Sequence, residues 1–218
     1  MLRRTLGFLR RPLSSQRRWQ LYLFLSRGWP RLWGTLGYLV LKRWFDVQDA
    51  GLPEVFGVPQ LAKVPGSQII LGRQVMLVSS PSRATAATLY APVRLRALSS
   101  TAAIIIGDRV GLNGTSITAR SRTIRIGDDT MFAPNVTVVD SDYHAQWPPE
   151  GRATSPGWDR DADVIVGRNV WVGMQSILLK GTIIGDGTII AAGSVVTGDI
   201  PPNVLAGGVP ARGIHPLG

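Results

Sequence analysis

The chain contains two histidines and no cysteine, which excludes disulfides, thiolate metal sites and a cysteinyl acyl-enzyme. Proton transfer near neutral pH then falls to imidazole, whose ordinary pKa is ~6.5. One histidine, His144, closes the string Asp140-Ser141-Asp142-Tyr143-His144. A hydroxyl that attacks a carbonyl must lose its proton, and imidazole is the side chain best matched to take it. An acceptor at Nδ1 would leave Nε2 facing the substrate; the Asp142 carboxylate is one candidate and a backbone carbonyl is the other. Loop aspartates also cap turns, which is the bland alternative for Asp142. No metal site is expected.

A rigid frame must hold that histidine, and its signature follows it. Apolar residues recur at every sixth position: Val166, Val172, Leu178, Ile184, Ile190 and Val196. A six-residue beat leaves the face of a 3.6-residue helix but suits a solenoid of short strands and tight turns. Three sides make one coil of eighteen residues. Glycine often follows the apolar residue, as at Gly167, Gly173 and Gly185, where the chain must bend. The same beat runs earlier through Leu71, Leu77, Leu89 and Leu95, then Ile106 and Leu112, then Ile126, Phe132 and Val138. Leu77 and Leu95 stand eighteen apart, which reads as one coil.

Val138 and Val166 are separated by 28 positions, read as one coil and ten extra residues. A loop is therefore ejected between Val139 and Val164. It holds His144, Trp147 and Trp158, and insertions on rigid scaffolds are where sites sit. Strand alternation turns Trp171, Ile177, Ile183, Ile189 and Val195 outward if their neighbours point in. An exposed apolar row of this kind predicts contact with further copies of the chain.

The net charge of +10 is concentrated at the start: residues 1–50 carry ten Lys and Arg against two acidic residues. The solenoid is nearly neutral, so no general nucleic-acid surface is expected. Arg3, Arg4, Arg10, Arg11, Arg17 and Arg18 alternate with Leu2, Leu6, Leu9 and Leu13, with Pro12 as an interruption. Trp19–Leu25 and Leu32–Leu41 are apolar stretches too short to span a bilayer, separated by Arg27, Pro30 and Arg31. Tryptophan and arginine beside short apolar helices predict an anchor lying in an anionic membrane surface. The competing reading is a cap over the first coil, which solenoids need. Gly51, Pro53, Gly57 and Pro59 mark a linker. The expected division is a basic, Trp-rich helical segment over 1–62, the solenoid over 63–200 with an inserted loop at 140–163, and a tail over 201–218.

The beat, the interrupting loop and the string VGRNVWVGMQSILLKGTIIGDGTIIAAGSVVTGDIPPNVLAGGVPAR together resemble the hexapeptide-repeat acyltransferases, most closely the sugar O-acetyltransferases related to galactoside and maltose acetyltransferases. The resemblance covers roughly Leu71 to Ile214. It implies an all-β solenoid, a left-handed parallel β-helix with an N-terminal α-helical amphipathic segment, assembled as a homotrimer and using acetyl-CoA. DSDYH after APNVTVV resembles the segment that ends in the family's catalytic histidine, which assigns that role to His144 with Asp142 as its partner. Similarity also places Asn113, Trp171, Met174, Ala192, Thr197 and Arg212 along the acetyl-CoA channel, with Trp171 at the thioester end and Arg212 at a phosphate. Met174 stands where relatives often have a small polar residue, and Gly198 replaces a frequent lysine. His215 is read as structural or as a minor cofactor contact. In a trimer, the His144 loop of one chain would face Trp171 of another. The expected acceptor is a sugar of a glycolipid, a lipid-linked oligosaccharide or a surface polysaccharide precursor, met by a cytoplasmic protein held at the inner face of the membrane through residues 1–45. The alternatives are a non-catalytic scaffold of a membrane complex and an N-acyltransferase on an amino sugar. The zinc carbonic anhydrases of the same architecture need three histidine ligands, and this chain has two histidines.

Overall fold

Each inward apolar residue of the beat forms the middle of one side of a triangular coil, and six coils stack in register. The structure, a computed structural model, describes residues 14–84 and 86–218; the leucines and arginines expected to alternate over 2–13 lie outside the described residues. The first coil is β1 (Gln48–Asp49), β2 (Glu54–Phe56) and β3 (Gln60–Lys63), and the second is β4 (Gln68–Leu71), β5 (Met76–Val78) and β6 (Arg94–Ala97). The third is β7 (Ala103–Ile106), β8 (Gly111–Asn113) and β9 (Ser116–Ala119), and the fourth is β10 (Thr123–Ile126), β11 (Met131–Phe132) and β12 (Thr137–Val139). The fifth is β13 (Val164–Val166), β14 (Trp171–Val172) and β15 (Ile177–Leu178), and the sixth is β16 (Ile183–Ile184), β17 (Ile189–Ile190) and β18 (Val195–Val196). A hairpin of β19 (Val204–Gly208) and β20 (Ala211–Pro216) closes the far end.

These strands make three parallel sheets. Face A is β1-β4-β7-β10-β13-β16, face C is β3-β6-β9-β12-β15-β18, and face B is β2-β5-β8-β11-β14-β17 extended by the hairpin. The fold is the left-handed parallel β-helix with an N-terminal helical segment. Its core is the column of inward residues: Leu77, Leu112, Phe132, Val172 and Ile190 are all fully buried on face B. Where face A turns into face B, a glycine is obligatory: a Cβ on Gly127 would lie 2.6 Å from the Gly167 backbone one coil along. Buried hydroxyls seal the stack, as where Thr182 Oγ1 donates to the Val196 carbonyl at 3.1 Å and Thr130 Oγ1 to that of Gly167 at 2.8 Å.

Three expectations are corrected. The first coil begins at Gln48, inside the segment read as helical, and takes in the residues read as a linker, rather than beginning at 63. Leu77 and Leu95 lie on consecutive sides, so the segment 79–93 is a loop ejected between face B and face C, not part of a regular coil. Val138 and Val166 are also on consecutive sides, so the whole of 140–163 leaves the wall without completing a coil.

The amino-terminal helices run on without a break: α1 (Ser15–Leu23), a π turn (Phe24–Gly28) and α2 (Trp29–Phe45). Pro30 has no N–H to give the Ser26 carbonyl, and the Ser82 hydroxyl supplies that bond at 2.7 Å, so the proline bends the run without ending it. Gly34 lets the helix touch the first coil, since a Cβ there would sit 2.7 Å from the Gly57 nitrogen. Tyr38 is fully buried beneath it and donates to Asp49 at 2.7 Å, while Lys42 reaches the same carboxylate at 2.8 Å. This face is a cap. The other carries exposed Trp19, Trp29, Trp33, Leu36, Val40 and Trp44, the last 80% exposed. Among the described residues no helix is long and apolar enough to cross a membrane.

Candidate active site

The loop that carries His144 leaves the wall where face C ends. Its root, Asp140, is buried and accepts three backbone N–H groups, from Arg120 at 2.7 Å, Ser121 at 3.0 Å and Arg122 at 2.8 Å. Burial pushes the Asp140 carboxyl above its ordinary range, and those donors partly oppose the shift. Tyr143 takes a left-handed φ of 65°, and its N–H donates to Ser141 Oγ at 2.8 Å. The next residue, His144, is thereby turned out toward solvent.

His144 Nδ1 lies 2.8 Å from the Arg152 carbonyl oxygen. A carbonyl oxygen only accepts, so Nδ1 holds the proton and the neutral ring presents its lone pair at Nε2. The Asp142 partnership is corrected: its carboxylate accepts from Lys180 Nζ at 2.5 Å and Gln146 Nε2 at 2.7 Å, which ties the loop to the fifth coil. Of the two orienting acceptors considered for His144, the backbone carbonyl is the one in contact.

A buried arginine holds the two legs of the loop together. Arg120, at the end of face C, meets Asp161 with Nε at 2.9 Å and Nη2 at 3.0 Å, and donates to the Pro156 carbonyl. Its guanidinium lies 4.2 Å from the centre of the Trp158 ring and 5.7 Å from that of Tyr143. Burial acts to raise the Asp161 carboxyl; hydrogen bonds from Ser121, Arg120 and Ser141, with the Arg120 charge, more than offset it and hold the group below the usual carboxylate range. Gly157 packs against the His144 backbone, where a Cβ would lie 3.1 Å from the His144 carbonyl oxygen. Sequence reasoning missed Arg120, although the polar run Arg120-Ser121-Arg122 interrupting the beat was its signal.

The residues assigned to the cofactor divide. Asn113, Met174 and Ala192 line the edge between faces B and C, and Trp171 points out from face B, 50% exposed. The segment 79–93 runs beside them: Asn135 accepts the Tyr90 N–H and donates to the Thr88 carbonyl, both at 2.9 Å, and Gln175 donates to the Tyr90 hydroxyl. The Asn113 amide donates to the Phe132 carbonyl at 2.8 Å. Thr197 follows β18 and stands on the edge between faces C and A, with Lys180 and the root of the His144 loop. Arg212 is exposed on the hairpin, with Nη1 on the Ala211 carbonyl at 2.7 Å. One copy of the chain thus puts the base on one edge and most of the channel residues on another.

The outward residues differ between faces. Face A presents Ile70, Ile105, Ile165 and Ile183 around Arg125, and face B presents Met76, Met131, Trp171, Ile189 and Leu205. Face C presents two outward rows on its first four coils, Gln60, Arg94, Ser116 and Thr137 in one and Ala62, Arg96, Thr118 and Val139 in the other, and is continued by apolar Ile177 and Val195.

Residues 163–198 match the family model described as bacterial transferase hexapeptide (six repeats). Over 97 residues the chain is 41% identical to the galactoside O-acetyltransferase of Escherichia coli strain K12, a stretch covering 44% of this chain and 45% of that protein. The chain spans about half the length of the curated relatives it matches. Among solved structures, AntD, an N-acyltransferase from Bacillus cereus in complex with dTDP and 3-hydroxybutyryl-CoA, superposes with a TM-score of 0.58 at 18% identity, over 83% of this chain and 87% of that one. The polySia specific acetyltransferase NeuO superposes with a TM-score of 0.50 at 23% identity, over 79% and 86% of the two chains. Both are likenesses of fold.

Proposed function

We propose that this hexapeptide-repeat protein is an acetyl-CoA-dependent O-acetyltransferase acting on a sugar hydroxyl, with His144 as its general base. The observation that carries the reading is the 2.8 Å contact of His144 Nδ1 with a carbonyl oxygen, on a loop that the solenoid itself does not need. Acetyl-CoA supplies the acetyl group as a thioester. His144 Nε2 accepts the acceptor's hydroxyl proton as the oxygen attacks, and returns it to the departing sulfur. Trp171, Met174 and Ala192 are suited to the pantetheine arm, with a backbone N–H at Met174 as a donor to the developing oxyanion. Arg212, exposed and without a carboxylate partner among the described residues, suits a phosphate.

The two half-sites of one copy motivate a homotrimer. If apolar face A of one subunit packs toward apolar face B of the next, the edge bearing His144 in the first borders the edge bearing Asn113, Met174 and Ala192 in the second. The exposed aromatic and basic surface of α1 and α2 supports peripheral contact with the inner face of a membrane, and hence an acceptor in a glycolipid, a lipid-linked oligosaccharide or a surface polysaccharide precursor. Incubation with acetyl-CoA and a panel of sugars, followed by free-thiol release, tests the activity. His144→Ala is expected to lower acceptor-dependent release by ~10²–10⁴-fold while CoA binding persists. Unchanged release would reject the base.

A further inference from the structure

The outward side of face C carries two arginines with no carboxylate partner among the described residues. Arg94 and Arg96 alternate along β6 with buried Leu95 and Ala97, so both side chains leave the wall on the same side. Each is only half exposed. Arg73, Arg109, Arg120 and Arg168 all meet carboxylates, but among the described residues neither Arg94 nor Arg96 does. Arg94 Nε is moreover buried with no hydrogen-bond partner. That nitrogen is closed to solvent, so the terminal Nη donors of the pair are the groups an incoming oxyanion would meet.

On one side the neighbours of the pair are Gln60 and Ala62, and on the other they are hydroxyls. Ser116 and Thr118 stand in register with Arg94 and Arg96 on the next strand. Tyr143, the residue before His144, lies with its ring 5.7 Å from the guanidinium of Arg120, which follows that same strand. The strand β6 is two coils from β12, where the His144 loop departs, a separation of ~10 Å at ~4.8 Å per coil. In the threefold arrangement above, face C is the face left to solvent.

We propose that Arg94 and Arg96 form an anion subsite for the acceptor, so that the acetylated sugar carries a phosphate or carboxylate. This rests on the acetyltransferase reading, which would leave the choice among neutral and acidic sugars open. Arginine is suited to either anion through paired N–H donors, and Ser116 adds a neutral one. The subsite lies on the side of the loop nearer the helical cap.

The test is binding of glucose 1-phosphate, glucuronate and glucose to the full chain, followed by ligand-observed NMR with CoA saturating so that its own phosphate contacts are occupied. The anionic probes are expected to bind more tightly than glucose and to lose about tenfold affinity in Arg94→Gln/Arg96→Gln, with CoA affinity unchanged. Preference for glucose 1-phosphate would identify the anion as a phosphate, and preference for glucuronate as an acidic sugar; either supports the subsite. Equal binding of glucose, or variant affinities equal to wild type, would overturn it. A change of oligomeric state in the double variant, read by sedimentation, would also overturn it and assign the arginines to contacts between copies. Loss of CoA binding by the unsubstituted protein would instead sink the enzyme reading, a result scored separately in the same titration.

Discussion

At the scale of the residue, the proposed chemistry depends on which atom faces Nδ1 of His144. A carboxylate there would orient the ring and also stabilise its protonated form, whereas the Arg152 carbonyl does the first through a dipole only. Asp142→Asn discriminates between them. In a triad whose aspartate orients the base, the corresponding change costs about 10⁴-fold in turnover. Here Asp142 is engaged with Lys180 and Gln146, so steady-state rates are expected to stay within about tenfold of wild type. A loss approaching that of a triad aspartate would restore Asp142 as the orienter. The position of His144 was legible because solenoid walls do not need histidines in ejected loops. Its partner was not, because a backbone carbonyl eight residues away leaves no trace in side-chain types.

At the scale of the element, the six-residue beat reports only the remainder after division by six. An insertion of twelve residues between Leu77 and Leu95 therefore left the phase intact and looked like a coil, although the chain had moved by one side. The fold class and the inward column were still readable, because each regular side repeats the same burial. What escaped was the clamp on the His144 loop, since Arg120 and Asp161 meet across 41 positions and no local pattern links them. The clamp has a pH signature. Asp161 is held below its unfolded value, so its contribution is fully present above the ordinary carboxylate pKa of ~3.9 and is lost as pH falls through the lower folded value. The loop is thus expected to stay closed from neutral pH down to about pH 4 and to open below it. Limited proteolysis at acid-tolerant sites, with Trp158 emission as a second readout, checks this. Arg120→Ala strands a buried carboxylate and is expected to open the loop at neutral pH, at a cost of about 3–5 kcal/mol. Loop cleavage rising already between pH 7 and pH 5 in the unsubstituted protein would show that another group holds it.

At the scale of the whole molecule, the helical segment caps the first coil with one face, and the membrane contact proposed for the other is open to test. Gly34 and Tyr38 fasten α2 to the first coil, and that leaves the opposite surface rich in tryptophan, leucine and arginine. No acidic residue occurs between positions 1 and 45. On the proposed membrane reading, the aromatic rings would sit at the headgroup boundary, and each arginine near a charged leaflet would contribute about 1 kcal/mol. Because the cap is fastened to the solenoid, membrane contact would fix the direction of the coil axis and place the His144 edge several coils away from the lipid. The full chain is expected to float with vesicles containing phosphatidylserine, to bind neutral phosphatidylcholine vesicles much less, and to be released by raising salt toward 1 M, where the screening length is ~3 Å. Trp33→Ser with Trp44→Ser removes two exposed rings that the solenoid does not use, so flotation should fall several-fold while the thermal midpoint stays put. Equal flotation by the double variant, or equal partition into neutral and anionic vesicles, would leave the exposed face to a protein partner and remove the membrane from the account of the acceptor.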